Sequence, residues 1–255
     1  MTGASSGIGE AMVRQLAAAG VRTVAVARRS DRLEALARDH ATVEPLVADL
    51  TDPAGVARVA ARLDAAAPVE LLVNNAGFGT TGHVEQIDPD RSAAEIGLNV
   101  AALVRLTQAA LAGWRGGDGY VLNVSSVASY QAAPNLAVYA ATKAFVTSFT
   151  EALHEEMRGT GVRVTLLCPG LTRTEFSQVS SGTTGTAVGG PSLAWLSAER
   201  VAAEGLDAVA RGRAVVVPGA LYKSLVGLSQ VSPRALGRSV ARLANDRRLR
   251  PVGDG

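Results

Sequence analysis

Cysteine is nearly absent from this sequence, since Cys168 is the only one in 255 residues. An internal disulfide is therefore excluded, and this usage is typical of a protein in a reducing cytoplasm. No stretch approaches the run of about 18 consecutive apolar residues that a membrane span requires. The N-terminus also lacks the basic and then apolar pattern of a secretory signal. We therefore expect a cytoplasmic protein without a membrane span.

Excess charge is also small, because 25 lysines and arginines face 23 aspartates and glutamates, for a net charge of +2. The pI near 9.0 reflects this slight excess of basic residues and not a basic surface, so we expect no nucleic-acid partner. The histidines, His40, His83 and His154, are isolated from one another and from other potential ligands. No cluster has metal-ligand spacing, so we expect no metal.

Apolar residues and glycine are plentiful and alternate in a pattern that predicts strands and helices in turn. With 47% hydrophobic residues and 27 glycines, the chain can form one α/β domain with a sizeable core. Short β-branched runs predict the strands Thr23–Ala27, Val43–Val47, Val69–Val73, Gly119–Val124, Val162–Leu167 and Ala214–Val217. Helical spacing of apolar residues predicts the helices Glu10–Ala19, Asp31–His40, Pro53–Ala67, Ser92–Leu111, Val138–Met157 and Ala198–Arg211.

A pair of side chains on the helix predicted from Val138 gives the first functional signal. Tyr139 and Lys143 stand four residues apart, so both leave the same helix face. A free phenol titrates near ~10, and a fixed positive charge beside it favours the phenolate, so Tyr139 can serve as an acid or a base. Ser126 follows a predicted strand, where a hydroxyl is well placed to polarise a carbonyl oxygen. Taken alone, such a pair is more often solvated surface.

A glycine-rich turn at the start of the chain gives the second signal. Residues 2–9 read Thr-Gly-Ala-Ser-Ser-Gly-Ile-Gly and run straight into a predicted helix. Glycines let backbone amides approach a pyrophosphate, and the N-terminus of the helix supplies partial positive charge. Glycine also simply makes turns, but this turn together with Ser126, Tyr139 and Lys143 indicates a nucleotide-dependent catalytic site.

The sequence resembles the short-chain dehydrogenase/reductase family in its single-domain form. The matching motifs are Thr2-Gly3-x-x-x-Gly7-x-Gly9, Asn74-Asn75-Ala76-Gly77, Asn99, Ser126, Tyr139-x-x-x-Lys143 and Pro169-Gly170, in the family's order and spacing. The resemblance implies an α/β fold with a doubly wound parallel sheet, the Rossmann fold. It also implies a nicotinamide cofactor and hydride transfer at a carbonyl or secondary alcohol carbon of a small-molecule substrate.

The family's pattern assigns catalytic roles to four residues. Tyr139 would pass the proton, Ser126 would stabilise the oxyanion, and Lys143 would hold the ribose and lower the pKa of Tyr139. The backbone around Asn99 would hold a water joined to Lys143, completing a relay to solvent. If the family resemblance is set aside, Asn99 is simply an asparagine inside a predicted helix. A solvent-facing position is then the simpler interpretation.

The resemblance also implies a set of cofactor contacts. Asp49 would accept from the adenine amino group, with a helix cap as the alternative. Asn74 and Ala76 would line the adenosine side, while an ordinary turn is the alternative for Asn75 and Gly77. The expected contacts are Gly3, Ser5, Ser6, Gly7, Ile8, Gly9, Arg28, Arg29, Asp49, Leu50, Asn75, Ala76, Gly77, Tyr139, Lys143, Pro169, Gly170, Thr172 and Thr174.

The residues after the strand Thr23–Ala27 bear on the choice of cofactor. An enzyme that uses NAD(H) would be expected to place an acidic residue near this strand's end, and none stands there. Arg28 and Arg29 follow instead, and guanidinium groups suit a phosphate, so we favour NADP(H). Arginines that solvate a turn are the alternative, and Asp31 keeps NAD(H) possible.

A strand is missing where the resemblance requires one. A doubly wound fold feeds its glycine-rich turn from a buried central strand, and here the turn begins at residue 2. We hypothesise that the start of the sequence is misassigned. The family often has valine before Thr-Gly, and a GTG valine codon can be read as an initiating methionine. The alternative is a truncated product that folds poorly, because two unpaired strand edges would be exposed.

The last third of the chain predicts a lid and a tail. Gln178–Pro191 is rich in serine, threonine and glycine and follows the expected nicotinamide turn, so we expect a lid over the substrate. Leu193, Trp195 and Leu196 could wall an apolar pocket or fill the core. Residues 1–220 would form the dinucleotide-binding and catalytic domain. Residues 221–255 would form a helical tail packed on it, with membrane-surface contact as the alternative.

These observations together predict an NADP(H)-dependent oxidoreductase. By resemblance, copies would associate into a homodimer or homotetramer through the helices Ser92–Leu111 and Val138–Met157. A regulatory protein that binds NADPH without turnover is a second interpretation. It is disfavoured because all four catalytic positions are filled.

Overall fold

The computed structural model describes residues 1–63, 69–114, 117–176 and 194–231, and it confirms the α/β fold with parallel strands. The strands are β1 Thr23–Ala27, β2 Val43–Val47, β3 Leu71–Asn74, β4 Gly119–Val124, β5 Val162–Leu167, β6 Thr172–Arg173, β7 Leu196–Ser197 and β8 Val215–Val216. The helices are α1 Gly7–Ala18, α2 Ser30–Asp39, α3 Pro53–Leu63, α4 Pro89–Ile96, α5 Leu103–Gly113, α6 Ala137–Glu156, α7 Ala198–Ala210 and α8 Ala220–Val231. A π-helical segment, Gly97–Ala102, and the 3₁₀ turns Val84–Gln86 and Val127–Tyr130 complete the regular structure of these residues.

The larger sheet contains four parallel strands in the order β3, β4, β5, β8. Leu71 of β3 lies opposite Tyr120 of β4, and the pairing continues in register along both strands. β1 and β2 pair in parallel separately, with Thr23 opposite Val43. Because parallel strands end at the same edge, the residues that follow them meet there, and ligands bind at that edge in folds of this kind.

Helices cover both faces of the larger sheet. α1 and α7 pack against each other on one face, where Met12 and Val201 lie with Leu122 in one buried cluster. α3, α5 and α6 pack on the other face, where Leu106 lies with Val121. Neighbouring residues of β4 therefore enter different cores, so the strand is buried on both sides, as its near-continuous apolar sequence predicts.

Between β1 and β3 only Met1 and Thr2 occupy the place of a strand in the described part of the chain. The Thr2 amide donates to the Val73 carbonyl at 3.0 Å, and the Val26 amide donates to the Met1 carbonyl at 2.9 Å. The Met1 amino group donates to the Val24 carbonyl at 3.0 Å, and burial lowers its pKa to about 5. A cavity of about 170 Å³ remains beside them, bordered by side chains that include Leu16, Leu46, Val59, Leu71 and Leu72.

A chain extended upstream of Met1 by five or six apolar β-branched residues should gain stability. The added strand would fill the 170 Å³ cavity and pair with the edges of β1 and β3. Burying about 100 Å² of apolar surface is worth ~2–3 kcal/mol, which corresponds to several degrees in Tm. Thermal unfolding measures it. An extension of equal length made of glycine and serine serves as the control, since both extensions move the charged amino group. Equal melting temperatures would contradict the prediction.

A row of polar side chains crosses the interior of the larger sheet. Asn74 of β3 lies opposite Asn123 of β4, and its Nδ2 donates to Asn123 Oδ1 at 2.9 Å and to Thr107 Oγ1 at 3.0 Å. Asn123 Nδ2 donates in turn to Thr150 Oγ1 at 3.0 Å. The two threonine hydroxyls each donate to a carbonyl one turn earlier in their own helices. These buried groups satisfy one another, as an interior of low dielectric requires.

The helix predicted as Ser92–Leu111 begins earlier and is less regular than expected. α4 begins at Pro89 because the Asp88 side chain accepts from the Asp90 amide at 2.9 Å, and proline suits the first helical position. The π-helical segment then joins α4 to α5. π-helical segments are rare in proteins, and those that occur are often found at functional sites.

Other element bounds differ by a few residues from those predicted. α1 begins at Gly7 and not at Glu10, because the glycine-rich turn already forms the first helical turn. β3 is Leu71–Asn74 where Val69–Val73 was predicted. The helix predicted as Pro53–Ala67 is described as far as Leu63. Small shifts of this kind are usual where elements fray.

The run Pro89–Gly113 has the length and composition to cross a membrane, with 25 residues and a mean hydropathy of 1.3 in its most apolar window. In the fold it packs against α3 and α6 and contains the buried polar residues Glu95 and Asn99. One face of the run therefore packs in the fold, and the run does not indicate a membrane protein. The α8 helix buries Tyr222 and Val226 against the core beside β5, and residues 232–255 of the predicted tail lie outside the described residues.

Candidate active site

A cavity of about 690 Å³ opens at the carboxyl ends of β1, β3, β4 and β5. Of the residues singled out as catalytic or cofactor-binding, Gly9, Asn74 and Asn99 do not line it. The others line it: Gly3, Ser5, Ser6, Gly7, Ile8, Arg28, Arg29, Asp49, Leu50, Asn75, Ala76, Gly77, Ser126, Tyr139, Lys143, Pro169, Gly170, Thr172 and Thr174.

The glycine-rich turn forms one end of the cavity. Gly3 and Gly7 have φ values of 67° and 59°, which L side chains rarely adopt. A Cβ at Gly9 would lie 2.2 Å from the Gly3 carbonyl oxygen, so the turn packs directly on the first helical turn of α1. Ser6 at the N-cap makes no side-chain hydrogen bond to the helix. The amides of the first turn are therefore available to an anionic ligand.

The side chains of Asn74, the last residue of β3, and Asn75, the residue after it, have different partners. Asn75 Nδ2 donates to the carbonyls of Thr2 at 3.0 Å and Gly3 at 3.3 Å, which ties the loop to the glycine-rich turn. Asn74 is buried in the polar row with Asn123 and does not line the cavity. The expectation that Asn74 lines the adenosine side is therefore wrong, because successive side chains of a strand leave opposite faces. Ala76 lines the cavity as expected.

Arg28 and Asp49 form one side of the cavity at the ends of β1 and β2. Arg28 Nη1 lies 3.7 Å from Asp49 Oδ2, and the Arg28 side chain is 65% exposed. Asp49 Oδ1 accepts from the Thr51 amide at 2.9 Å and from its hydroxyl at 2.7 Å. Burial acts to raise the pKa of Asp49, but the Thr51 hydrogen bonds and Arg28 together hold it below its ordinary value. Asp49 is thus ionised at neutral pH beside an accessible guanidinium.

Arg29 is bound differently from Arg28. It donates to the Ser5 hydroxyl and to the carboxylate of Glu175, and Arg32 donates to the same carboxylate. The sequence analysis did not identify Arg32 or Glu175. Arg32 and Glu175 are 143 residues apart in the chain, and no local pattern brings them together.

Ser126, Tyr139 and Lys143 meet at the other end of the cavity. Tyr139 and Lys143 lie on α6, and Lys143 Nζ is 5.8 Å from the centroid of the Tyr139 ring. Nζ also donates to the Val124 carbonyl, the last of β4, at 2.8 Å. Ser126 precedes the 3₁₀ turn, where its Oγ accepts from the Ala128 amide at 3.1 Å and lies close enough to hydrogen-bond with Tyr139.

Burial sets the pKa values of Tyr139 and Lys143. It raises the pKa of Tyr139 to about 12, against a smaller lowering by the hydrogen bond with Ser126. It lowers the pKa of Lys143 to about 8. The lowering of the Tyr139 pKa by Lys143 that the resemblance implies is therefore not found, because the loss of hydration on burial dominates the pKa of Tyr139. Tyr139 holds its proton at neutral pH.

Asn99 is buried within the π-helical segment and is not solvent-facing. Its Nδ2 donates to the Phe78 carbonyl at 2.8 Å and to Thr142 Oγ1 at 3.0 Å, and its Oδ1 accepts from the Phe78 amide at 3.2 Å. A Cβ at Gly77 would lie 2.9 Å from Asn99 Oδ1 and 3.4 Å from Lys143 Nζ. Asn99 therefore fastens the loop after β3 to α6 beside Lys143.

The turn after β5 closes the cavity between its two ends. Thr172 Oγ1 donates to the Gly170 carbonyl at 3.0 Å, and the Phe176 amide donates to Thr174 Oγ1 at 3.3 Å. A Cβ at Gly7 would lie 2.9 Å from Thr174 Cγ2, so this turn packs on the glycine-rich turn. The turn after β5 thus lines the cavity between its Arg28 end and its Tyr139 end.

Aromatic side chains that the sequence analysis did not single out form part of the cavity wall. Phe78, directly after the Asn-Asn-Ala-Gly motif, and Phe176 both line it. The rings of Phe176 and Tyr139 are tilted by 51° with their centroids 5.3 Å apart. Trp195 lines the cavity, whereas Leu196 packs into the core.

Leu193 and the expected lid Gln178–Pro191 lie outside the described residues. In the described ranges, no three histidine, cysteine, aspartate or glutamate side chains are grouped so that they could hold a metal ion.

Glu95 is a buried carboxyl group that the sequence analysis also missed. It lies on α4 one turn before Asn99 and is 0% exposed. Burial raises its pKa, while Thr80, Arg91 and Lys143 act in the opposite direction. The sequence around it contains both polar and apolar residues and gave no sign that Glu95 is buried. Glutamates are also almost never fully buried, so an exposed position was the natural expectation.

Replacing Glu95 with glutamine should stabilise the protein increasingly as pH rises above about 4.5. The raised pKa means that the folded state binds more protons than the unfolded state from about pH 4.5 up to the folded pKa, so wild-type stability falls through that window. Glutamine removes this loss because it does not ionise. Denaturant unfolding at about pH 5 and about pH 8 measures the effect. A difference in stability between variant and wild type that stayed constant with pH would refute the prediction, and Glu156→Gln at an exposed position is the control.

The chain is similar in sequence to known proteins over most of its length. Residues 1–184 match the family model described as short chain dehydrogenase. Sulfoacetaldehyde reductase 2 of Chromohalobacter salexigens is 38% identical over 189 residues, covering 71% of this chain and 75% of that protein. Serine 3-dehydrogenase of Agrobacterium fabrum is 35% identical over 185 residues, covering 71% of this chain and 74% of that protein.

A solved structure is similar over the whole chain. The short-chain dehydrogenase from Sphingobium yanoikuyae in complex with NADPH has a TM-score of 0.79 and 30% sequence identity, covering 100% of this chain and 97% of that one. The similarity therefore extends beyond the residues that match the family model.

Proposed function

Since the chain belongs to the short-chain dehydrogenase family and is an oxidoreductase acting on CH–OH groups, we propose that it uses NADP(H) and the residues Ser126, Tyr139 and Lys143. The observation that carries this proposal is the meeting of these three side chains in one cavity whose far end is the glycine-rich turn. The reaction interconverts a carbonyl compound and the corresponding alcohol.

The cavity has the form that a nicotinamide dinucleotide requires. Gly3, Ser5, Ser6 and Gly7 of the glycine-rich turn line it, and glycines let backbone amides approach a pyrophosphate closely. The pyrophosphate would be held at the first turn of α1, the adenosine between Arg28 and Asp49, and the nicotinamide beside Thr172 and Thr174. When bound, the cofactor supplies or accepts the hydride.

The chain's own residues handle the proton and the oxygen. Tyr139 keeps its proton at neutral pH and can donate it to a carbonyl oxygen, as the reductive direction requires. Ser126 lies beside Tyr139 and donates a hydrogen bond to the same oxygen as charge develops. Lys143 holds positive charge near Tyr139, and Asn99 fixes the loop beside it. In the oxidative direction each role reverses.

Arg28 supports the choice of NADP(H). Its exposed guanidinium lines the cavity directly after β1, where a 2′-phosphate on the adenosine ribose would lie. The similar Sphingobium yanoikuyae protein was solved with NADPH. Asp31 sits nearby at the start of α2, so NAD(H) is the alternative cofactor.

Replacing Arg28 with alanine should raise the KM for NADPH by about tenfold and leave the KM for NADH within about twofold. The main interaction that the guanidinium would make with the cofactor is with the 2′-phosphate, which NADH lacks. Initial rates with both cofactors measure the split, with the exposed Arg38→Ala as the matched control. An equal rise in both KM values would contradict the proposal that Arg28 binds the 2′-phosphate.

The substrate proposed here is an uncharged ketone or aldehyde. Phe78, Leu136, Phe176 and Trp195 line the cavity near Tyr139, and among the described lining residues the cations besides Lys143 are Arg28 and Arg29 at the opposite end. The sequence of residues 177–193 contains no lysine or arginine either. Among the described lining residues, a sulfonate or carboxylate, as in the substrates named for the two relatives, would find no cation near Tyr139 except Lys143, which the proposal assigns to the cofactor.

We extend the proposal to assembly and domain organisation. Ile96 on α4 and Phe145 on α6 are exposed apolar side chains on neighbouring helices, which supports a homodimer or homotetramer formed there. The burial of Tyr222 and Val226 supports a tail that begins at residue 221 and packs on a catalytic domain of residues 1–220.

Rates of NADPH and NADH oxidation with a panel of uncharged ketones and aldehydes, together with sulfoacetaldehyde, test the proposed function. We expect turnover with NADPH on uncharged carbonyls and little on the sulfonate. Turnover that is faster on the sulfonate would overturn the substrate class. Thermal stabilisation by NADPH without turnover on any carbonyl would instead indicate a regulatory binder.

A further inference from the structure

A carboxylate from the turn after β5 lies between two arginines at the start of α2. Glu175 Oε2 accepts from Arg29 Nη1 at 2.9 Å, and Oε1 accepts from Arg32 Nη1 at 2.7 Å. The two oxygens of one carboxylate are thus divided between two guanidinium groups. The shared hydrogen bonds hold the pKa of Glu175 below its ordinary value, so it is ionised at neutral pH.

The same arginines are fastened to the glycine-rich turn. Arg29 donates from Nε and Nη2 to Ser5 Oγ at 3.1 and 3.0 Å, and Arg32 Nη1 donates to the Ser5 carbonyl at 3.3 Å. Three segments therefore meet at this cluster: the glycine-rich turn, the start of α2 and the turn that also holds Thr174. Arg29, Ser5 and Glu175 all line the cavity.

The cluster is positively charged and open to solvent. Two guanidinium groups face one carboxylate, which leaves a net charge of about +1 at side chains that are 37–41% exposed. A phosphate dianion would neutralise this pair more completely than a carboxylate does, and it offers three acceptor oxygens in place of two. Exposure means that Glu175 can leave the arginines for water without burying an unpaired charge.

We propose that Glu175 competes with the 2′-phosphate of NADP(H) for Arg29 and Arg32 and so limits the preference for NADP(H) over NAD(H). This inference rests on the proposed function. Arg29 is the second residue after β1, next to Arg28, at the place where such a phosphate lies in a dinucleotide-binding sheet. NADH can bind while Glu175 keeps both arginines, whereas NADPH must displace it to use them. Binding of the phosphate therefore frees the turn Thr172–Phe176 from its ionic contact with α2.

Replacing Glu175 with glutamine tests the competition, because the amide keeps the size of the side chain and loses its charge. We expect the Kd for NADPH to fall about five- to tenfold and the Kd for NADH to change less than about twofold. Adenosine 2′,5′-bisphosphate should bind more tightly in the same proportion, while adenosine 5′-monophosphate should not. Glu34→Gln on the exposed side of α2 makes the same change in net charge and is the matched control.

The outcomes separate this inference from the proposed function. An equal weakening of NADPH and NADH binding in Glu175→Gln would mean that Glu175 braces the cavity, and unchanged values for both would mean that it is a bystander. Either result overturns the competition while leaving the proposed function intact. A wild-type protein that binds neither cofactor would overturn both. Thermal unfolding of each variant confirms that the fold is unchanged.

Discussion

Replacing Tyr139 with phenylalanine should lower kcat about 10²–10⁴-fold and leave the Kd for the cofactor within about twofold. The hydroxyl is the proton donor in the proposed reaction, and no neighbouring group in the described cavity can replace it at the same position. Phenylalanine keeps the ring that packs on Phe176 with a centroid distance of 5.3 Å. The loss should therefore fall on the chemical step and not on folding.

The neighbouring Tyr130 provides a matched control for this variant. It is partly buried, its hydroxyl lies 3.6 Å from Cys168 Sγ, and it is not among the residues that line the cavity. Tyr130→Phe should keep kcat within about twofold. Steady-state rates and cofactor titration of both variants complete the test. Full activity in Tyr139→Phe would refute the proposed role of the phenol.

Replacing Gly9 with alanine should destabilise the protein by about 3 kcal/mol or more and abolish tight cofactor binding. The new Cβ would lie 2.2 Å from the Gly3 carbonyl oxygen and 2.5 Å from Asn75 Nδ2. The first contact is with backbone, so the glycine-rich turn must move away from α1. A loss of this size corresponds to a fall of about 6–12 °C in Tm.

Gly227→Ala tests whether the effect belongs to the contact and not to the loss of a helical glycine. Gly227 lies on α8, and a Cβ there would meet nothing within 4 Å. Alanine should raise stability there by up to about 1 kcal/mol, because it favours the helix. Thermal unfolding and NADPH titration measure both variants. Equal stability of Gly9→Ala and wild type would contradict the close packing of the turn.

The parts of the site that follow from local periodicity could be predicted from the sequence. Tyr139 and Lys143 share a helix face because they are four residues apart, and the glycine-rich turn is recognisable because its glycines and the helix behind it are adjacent in the chain. The strands β1, β2, β4 and β5 were also predicted with the correct bounds, since each is a short β-branched or apolar run between turns.

The parts that depend on distant contacts could not be predicted in this way. The direction of Asn74 depends on which face of β3 its neighbours occupy, and its partner Asn123 is 49 residues away. The pairing of Glu175 with Arg29 joins residues 146 apart, and only the folded sheet brings them together. The pKa of Tyr139 depends on how much water the cavity excludes, which no residue pattern reports.

The polar row across the larger sheet restricts how this sequence can evolve. An apolar residue at position 123 alone would leave the buried amide of Asn74 short of an acceptor, at a cost of about 1–3 kcal/mol. Replacing both asparagines by apolar residues of similar shape would cost much less, because no donor is left unpaired. Positions 74 and 123 should therefore be inherited as a pair, so that relatives which lose one asparagine have also lost the other.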